Sequence, residues 1–286
     1  MATLLRGAPV ATALCERLAG RIEALEQAGI TPGLAIVRVG ERPDDIAYER
    51  AASRRAERLG IVVHRTVLDE NCSQDDLEQA IDVVNADASV HGCLLLRPLP
   101  AHLDERSACE RLSSSKDIDG ITPGSLAGVF CGFDTGFPPC TAAAVMELLD
   151  FYHIELSGKR VAVVGRSLVV GRPLALLLLG RNATVTLCHS RTNNLAEVLR
   201  QADIVVAAVG RAGLIDATCV QPGQTIIDVG TNWDENLGSL VGDVAHDQVD
   251  PLVAAVSPVP GGVGSITTAV LASHVVEAAE RMVDSQ

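Results

Sequence analysis

The stretch Lys159-Arg160-Val161-Ala162-Val163-Val164-Gly165-Arg166-Ser167-Leu168-Val169-Val170-Gly171-Arg172-Pro173-Leu174 decides the fold. Val161 to Val164 are apolar in an unbroken run, the pattern of a parallel strand buried on both faces. Gly165 turns the chain, and the apolar run from Leu174 reads as a helix. A strand that passes through a glycine turn into a helix N-terminus offers an anion free backbone N–H groups and the positive end of the helix dipole. Arg166 and Arg172 add positive charge beside that turn. The two glycines stand six apart, with Arg-Ser after the first and Arg-Pro after the second, so the loop departs from the common Gly-x-Gly-x-x-Gly spacing.

Working outward, the rest of the chain repeats the alternation of strand and helix. Toward the N-terminus the spacing predicts helices over 8–28, 44–59, 74–86 and 104–112, with strands over 34–39, 61–67 and 92–96. A loop rich in Gly, Pro, Phe and Thr is expected over 120–139, then a helix over 141–152. Beyond the central strand at 161–164, strands are expected near 183–187, 203–207 and 225–228 with helices between them. A last helix, 266–282, follows the turn Pro258-Val259-Pro260-Gly261-Gly262-Val263-Gly264. This alternation means α/β architecture with mostly parallel sheets. Two domains are expected: 1–138 with 266–286, and 139–265, with a cleft between them lined by strand-end loops and the glycine turn.

Composition narrows the class of function. The chain is 48% hydrophobic but only 2% aromatic, so its core must be built from Ala, Val, Leu and Ile. A net charge of −13 argues against nucleic acid as a partner. The arginines around 166–191 concentrate positive charge locally instead. Cysteines 15, 72, 93, 109, 131, 140, 188 and 219 show neither a C-x-x-C pair nor metal-ligand spacing, which reads as reduced thiols in a cytoplasmic protein without a metal site. No apolar run is long enough for a membrane span, so no membrane association is expected.

Further segments fall in a telling order. They are Tyr48, Arg97-Pro98-Leu99-Pro100, Lys116-Asp117-Ile118-Asp119-Gly120, Pro138-Pro139-Cys140-Thr141, Cys188-His189-Ser190-Arg191-Thr192, Asp228-Val229-Gly230 and Gly242-Asp243-Val244. With the two glycine turns they resemble the bifunctional methylenetetrahydrofolate dehydrogenase/methenyltetrahydrofolate cyclohydrolase family over nearly the whole length. The resemblance implies a folate-binding N-terminal domain and a Rossmann-like C-terminal domain for the dinucleotide. It implies that Tyr48 stacks on the aminobenzoyl ring and that Asp119 grips the pterin. A carboxylate can accept two parallel N–H bonds from an aminopyrimidine edge. It assigns Leu96, Pro98, Pro260, Gly261 and Gly262 to the substrate as well. It also gives the cofactor Gly165, Arg166, Ser167, Gly171, Arg172, Pro173, His189, Ser190, Arg191, Gly210, Gly230, Thr231 and Thr267. A homodimer formed through the cofactor domain is implied by the resemblance alone.

Two departures bear on the chemistry. The family has a lysine four residues after the tyrosine, and here that position is Ala52. It has a glutamine opening a Gln-Leu-Pro-Leu-Pro segment, and here the segment is Leu96-Arg97-Pro98-Leu99-Pro100. In the family these two side chains bond each other beside the reacting carbon, and the lysine does the acid–base work. Losing both leaves no orphaned polar group in the cleft. The neighbouring Arg54 and Arg55 are read as half a turn or more from the lost site, and Arg97 as pointing to the other side of the strand from Leu96.

Hydride transfer asks the protein mainly for orientation, whereas hydrolysis of the methenyl bridge needs a placed water and a proton relay. The expected function is therefore NADP-dependent oxidation of 5,10-methylenetetrahydrofolate, with cyclohydrolase activity lost or strongly impaired. NADP is expected over NAD because Arg166, Ser190 and Arg191 fall where the ribose lies and no Asp or Glu follows strand 183–187. The alternative is a repurposed relative that binds a folate or pterin-like ligand and a dinucleotide but catalyses another reaction or serves as a scaffold.

Overall fold

The computed structural model describes residues 1–235 and 237–284. In chain order the elements are β1 (Thr3–Leu4), α1 (Gly7–Gln27), β2 (Gly33–Val39), α2 (Pro43–Arg58), β3 (Val62–Leu68), α3 (Gln74–Ala86), β4 (Gly92–Leu95), α4 (Glu105–Arg111), α5 (Pro123–Cys131) and α6 (Cys140–Phe151). They continue as β5 (Arg160–Val164), α7 (Gly171–Gly180), β6 (Thr184–Cys188), α8 (Leu195–Arg200), β7 (Ile204–Ala207), β8 (Thr225–Asp228), β9 (Asn232–Asp234), β10 (Ser239–Val241), α9 (His246–Val249), β11 (Ala255–Val256) and α10 (Thr267–Asp284).

The chain divides into two compact units. One holds Ala13–Cys140 and the residues from Thr268 onward; the other holds Met1–Thr12 and Thr141–Thr267. Residues 1–12 thus lie with the second unit, contrary to the expected 1–138 grouping. The cause is β1, whose Thr3 and Leu4 pair in parallel with Ala255 and Val256 of β11. Two residues are too short to show a period in the sequence.

The first unit is built on a parallel three-stranded sheet in the order β3-β2-β4. All seven residues of β2 are buried, including Arg38. Its guanidinium is matched inside the fold: Nε donates to Glu49 Oε2 at 2.7 Å, and Nη1 donates to the Gly40 carbonyl. Because Glu49 belongs to α2, this ion pair ties the helix carrying Tyr48 to the central strand. Lys116 is also spent on structure. Its Nζ donates to the carbonyls of Val84 and Asp87 at 2.8 and 2.6 Å, satisfying the end of α3.

The second unit has a six-stranded sheet in the order β1-β11-β8-β7-β5-β6, with every pairing parallel. Val161, Ala162, Val163 and Val164 are each at most 2% exposed. Burying each valine side chain contributes on the order of 1.5–3 kcal/mol. From β5 the chain goes to β6 on one side and returns to β7 on the other. Ligands of open α/β sheets bind at such a reversal, outside the carboxyl ends of the strands.

Two expectations are corrected here. The 120–139 stretch is not all loop, because Pro123–Cys131 forms α5, with Thr122 as N-cap accepting from Ser125 N–H and Gly132 closing it at φ 70°. Between β7 and β8 there is no helix among the described residues; the chain crosses by turns. No described helix is long and apolar enough to cross a membrane.

Candidate active site

In the second unit the quoted stretch folds as a strand, a tight turn and a helix. Gly165 has φ +121°, and a Cβ there would lie 2.1 Å from the Ala208 carbonyl oxygen. A Cβ on Gly171 would lie 2.0 Å from the Gly165 carbonyl oxygen. The six-residue spacing is therefore set by backbone closing on backbone, with no room for a side chain at either end. Ser167 Oγ accepts from Val170 N–H at 3.1 Å and closes the loop from within. Pro173 is buried in the first turn of α7, where its missing N–H leaves no partner unsatisfied.

A cavity of about 520 Å³ opens at this strand reversal. Its walls come from the ends of three neighbouring strands: Gly165, Arg166 and Ser167 after β5, His189, Ser190 and Thr192 after β6, and Val209 and Arg211 after β7. That volume lies within the range of small-molecule and cofactor pockets. The 189–192 turn is held by its own side chains. Thr192 Oγ1 accepts from His189 N–H at 2.8 Å, and His189 Nδ1 accepts from Arg191 N–H at 3.1 Å. With Nδ1 accepting, a neutral His189 carries its proton on Nε2.

Two buried aspartates fix the third wall. Asp243 accepts N–H bonds from Val209, Gly210 and Arg211 at 2.7, 3.1 and 2.7 Å. Asp228 accepts from Gly230, Asp243 and Val244 N–H, each at 3.0 Å. Burial pushes Asp228 up to about 6, against the pull of those N–H donors. Gly230 and Gly242 are required alongside: a Cβ on the first would meet Asp243 at 2.2 Å, and on the second Asp228 at 1.8 Å.

Of the sequence-assigned cofactor residues, Gly165, Arg166, Ser167, His189 and Ser190 line the cavity. Gly171, Pro173, Gly210 and Gly230 shape its walls from behind through the contacts above. Arg172, Arg191 and Thr231 are exposed and lie outside the lining, as does the buried Thr267. Arg211 was missed. The signal was its place directly after Gly210 at the carboxyl end of a strand. In the same unit the glycine turn is closed by Gly7, whose N–H donates to the Gly261 carbonyl at 2.8 Å. Gly261 has φ 98°, Gly262 is buried, and Pro260 stays exposed after a cis peptide bond.

The first unit gathers the remaining residues at the carboxyl end of its own sheet. Arg42, just before α2, donates from Nη1 to the Pro98 carbonyl at 2.9 Å, joining the helix start to the loop after β4. Tyr48, half-buried, and Ala52, 1% exposed, lie one turn apart on α2. Arg55 lies one turn beyond Ala52 and shares its face, which corrects the half-turn offset read from the sequence. Its Nε donates to Thr268 Oγ1 at 2.9 Å and its Nη1 to Cys15 Sγ at 3.3 Å. Leu96 is 7% exposed.

Asp119 is reached by a parallel bridge between Cys93 and Asp117, which lays 117–119 beside β4. The backbone just before it is clamped. Cys140 Sγ at 3.2 Å and His274 Nδ1 at 2.8 Å both reach the Ile118 carbonyl. The His274 ring stacks on Phe137 at 5.0 Å, and burial lowers its pKa, keeping it neutral. Asp117 caps the next segment by accepting Ile121 and Thr122 N–H at 3.0 and 2.7 Å. Asp119 itself is pushed up to about 6 by desolvation, with Arg97 opposing and Asp117 adding to the rise.

Residues 5–119 match the catalytic domain of tetrahydrofolate dehydrogenase/cyclohydrolase, and residues 139–283 its NAD(P)-binding domain. The chain belongs to the tetrahydrofolate dehydrogenase/cyclohydrolase family. The bifunctional protein FolD of Carboxydothermus hydrogenoformans is 51% identical over 281 residues, covering 98% of each chain. Among solved structures, the bifunctional FolD of Campylobacter jejuni superposes with a TM-score of 0.95 at 38% identity, over 99% of this chain and all of the other. The Trypanosoma brucei enzyme, solved with NADP and an inhibitor, superposes with a TM-score of 0.92 at 35% identity, over 99% and 98% of the two chains. Ala52 and Leu96 are both buried.

Proposed function

We propose that this family member oxidises 5,10-methylenetetrahydrofolate to the methenyl form with NADP and does not hydrolyse the product at a useful rate. The observation that carries the reading is that Ala52 and Leu96, both apolar, are 1% and 7% exposed in one unit while the other unit keeps an intact dinucleotide cavity. Bound NADP supplies the hydride acceptor. The chain's own residues bind and orient. Arg166 and Arg211 offer guanidinium groups to the cofactor's phosphate, and Ser190 a hydroxyl to its ribose. Gly165 and Gly171 let the backbone approach closely. Asp119 takes the aminopyrimidine edge of the pterin, and Tyr48 lies against the aminobenzoyl ring.

Hydrolysis would need a proton relay at the methenyl carbon. Neither Ala52 nor Leu96 can hold or pass a proton, and Arg55 is engaged with Thr268 and Cys15. The decisive experiment follows authentic methenyltetrahydrofolate with and without protein. Decay at the buffer rate agrees with this reading; decay clearly faster than buffer overturns the loss of hydrolysis. The alternative, a relative that binds a pterin-like ligand and a dinucleotide for another purpose, draws on the same two substitutions. It becomes the better reading where both ligands bind and no NADPH forms. We further propose a homodimer, supported by exposed Trp233 and Leu240 on the β9–β10 hairpin of the cofactor-binding unit.

A further inference from the structure

Arg97 occupies the position of the first leucine in the family's Gln-Leu-Pro-Leu-Pro segment, and none of the roles above uses it. It leaves β4 at the sheet end to which the Cys93–Asp117 bridge brings Asp119. One side of its guanidinium is anchored: Nη1 donates to Glu105 Oε1 at 3.2 Å, and Glu105 Oε2 accepts Leu99 N–H at 3.0 Å. The side chain remains 22% exposed. A guanidinium carries five N–H donors, so most of its hydrogen-bonding capacity is left for another partner. Its charge is felt by Asp119 and by the Cys109 thiol.

We propose that Arg97 is a specificity-determining residue that donates a hydrogen bond to the 4-oxo group of the pterin ring while Asp119 accepts the neighbouring N–H groups. The inference rests on the folate reading above and deepens it. Around a pterin edge the 2-amino group and N3–H are donors, and the 4-oxo oxygen next to them is an acceptor. A carboxylate complements the first two, and a cationic donor beside it complements the third. Leucine at this position offers nothing to the oxygen. A ring with a 4-amino group would face the guanidinium with donor against donor, and a site built to donate rejects such an analogue.

Calorimetric titration of the full chain with NADP present tests this, using folate as the 4-oxo probe and aminopterin as the 4-amino probe. Wild type is expected to prefer folate by roughly tenfold or more, a difference one charge-assisted hydrogen bond can supply. Arg97→Leu should cut the preference by roughly tenfold, chiefly by weakening folate, and Arg97→Lys should retain it; what remains belongs to the N3–H that Asp119 accepts and a 4-amino ring lacks. In turnover, Arg97→Leu should raise KM for methylenetetrahydrofolate and leave kcat nearly unchanged. NADP affinity checks the fold, and Arg97→Met serves if Arg97→Leu loses it. A wild-type preference carried over undiminished into the leucine or methionine variant overturns the inference while leaving the folate reading intact. Failure of both pteridines to bind wild type overturns the folate reading and this inference with it.

Discussion

At the scale of single residues, the proposed chemistry depends on one desolvated carboxylate, Asp119, and two buried apolar side chains, Ala52 and Leu96. Asp119 must be ionised to accept two N–H bonds, yet burial lifts it to about 6 from an ordinary 3.8. As pH falls through about 6 the carboxylate gains a proton and an acceptor is lost. Folate affinity should therefore weaken by roughly tenfold for each pH unit below that value, and Asp119→Asn should flatten the profile. An unchanged affinity down to the ordinary carboxylate range would contradict the role given to Asp119. Ala52 and Leu96 allow the opposite manipulation. Ala52→Lys alone places an unpaired ammonium in a buried position and should lower stability by roughly 1–3 kcal/mol or more. The double change with Leu96→Gln should recover part of that loss in thermal melts and introduce some methenyl hydrolysis. The sequence singles out Ala52 and Leu96 because each lies inside a spaced motif. It did not make Arg55 legible as a neighbour of Ala52, because a three-residue step was taken for a change of face. Arg211 stayed hidden because Gly210 absorbed the reading of that turn, while its place in the cavity depends on Asp243, 32 residues away along the chain.

At the scale of elements, the strand-turn-helix of the second unit was legible from its glycines, and the structure supplies the reason. Gly171→Ala would drive a methyl group into the Gly165 carbonyl, and Gly242→Ala one into the Asp228 carboxylate. Each should cost about 1–3 kcal/mol through overpacking, read as a lower urea midpoint. The first should also weaken NADP binding, since the turn it distorts lines the cavity. The wall residues separate similarly. Arg166→Ala and Arg211→Ala should each weaken NADP by roughly 1.5–3 kcal/mol where a charge-assisted contact is lost. The effect of Arg191→Ala, exposed outside the lining, should be much smaller. A loss from Arg191→Ala as large as the other two, measured by titration, would place a phosphate contact at Arg191, and no loss from Arg211→Ala would remove it from Arg211. Helix α5 was legible and passed over: Thr122-Pro123 opens it and Gly132 closes it, a standard start and stop. Composition dominated instead, because Gly, Phe and Pro crowd the same stretch. β1 and β11 had no periodic signal to read, since a two-residue strand is defined only by its partner.

At the scale of the whole molecule, each unit is built on a parallel sheet with a reversal point, and the sequence alternation foretold that architecture. Its low aromatic content also foretold the core, which among the described residues is chiefly Ala, Val, Leu and Ile with Phe137 the largest fully buried side chain. Where the first twelve residues belong was not foretold, because the pairing of β1 joins positions some 250 residues apart. The exposed Trp233, 65% accessible, gives the proposed dimer a handle. Trp233→Glu should shift the species seen by light scattering toward monomer with NADP affinity retained, and an unchanged mass would remove the hairpin from the interface. The central claim is oxidation that stops at the methenyl form. Its most direct test is the stoichiometry of one reaction: the protein is mixed with methylenetetrahydrofolate and NADP, and NADPH and methenyltetrahydrofolate are measured together over time. The two are expected to rise one for one, with the methenyl form then declining only at the buffer rate. NADPH rising while formyltetrahydrofolate replaces the methenyl form would contradict the claim.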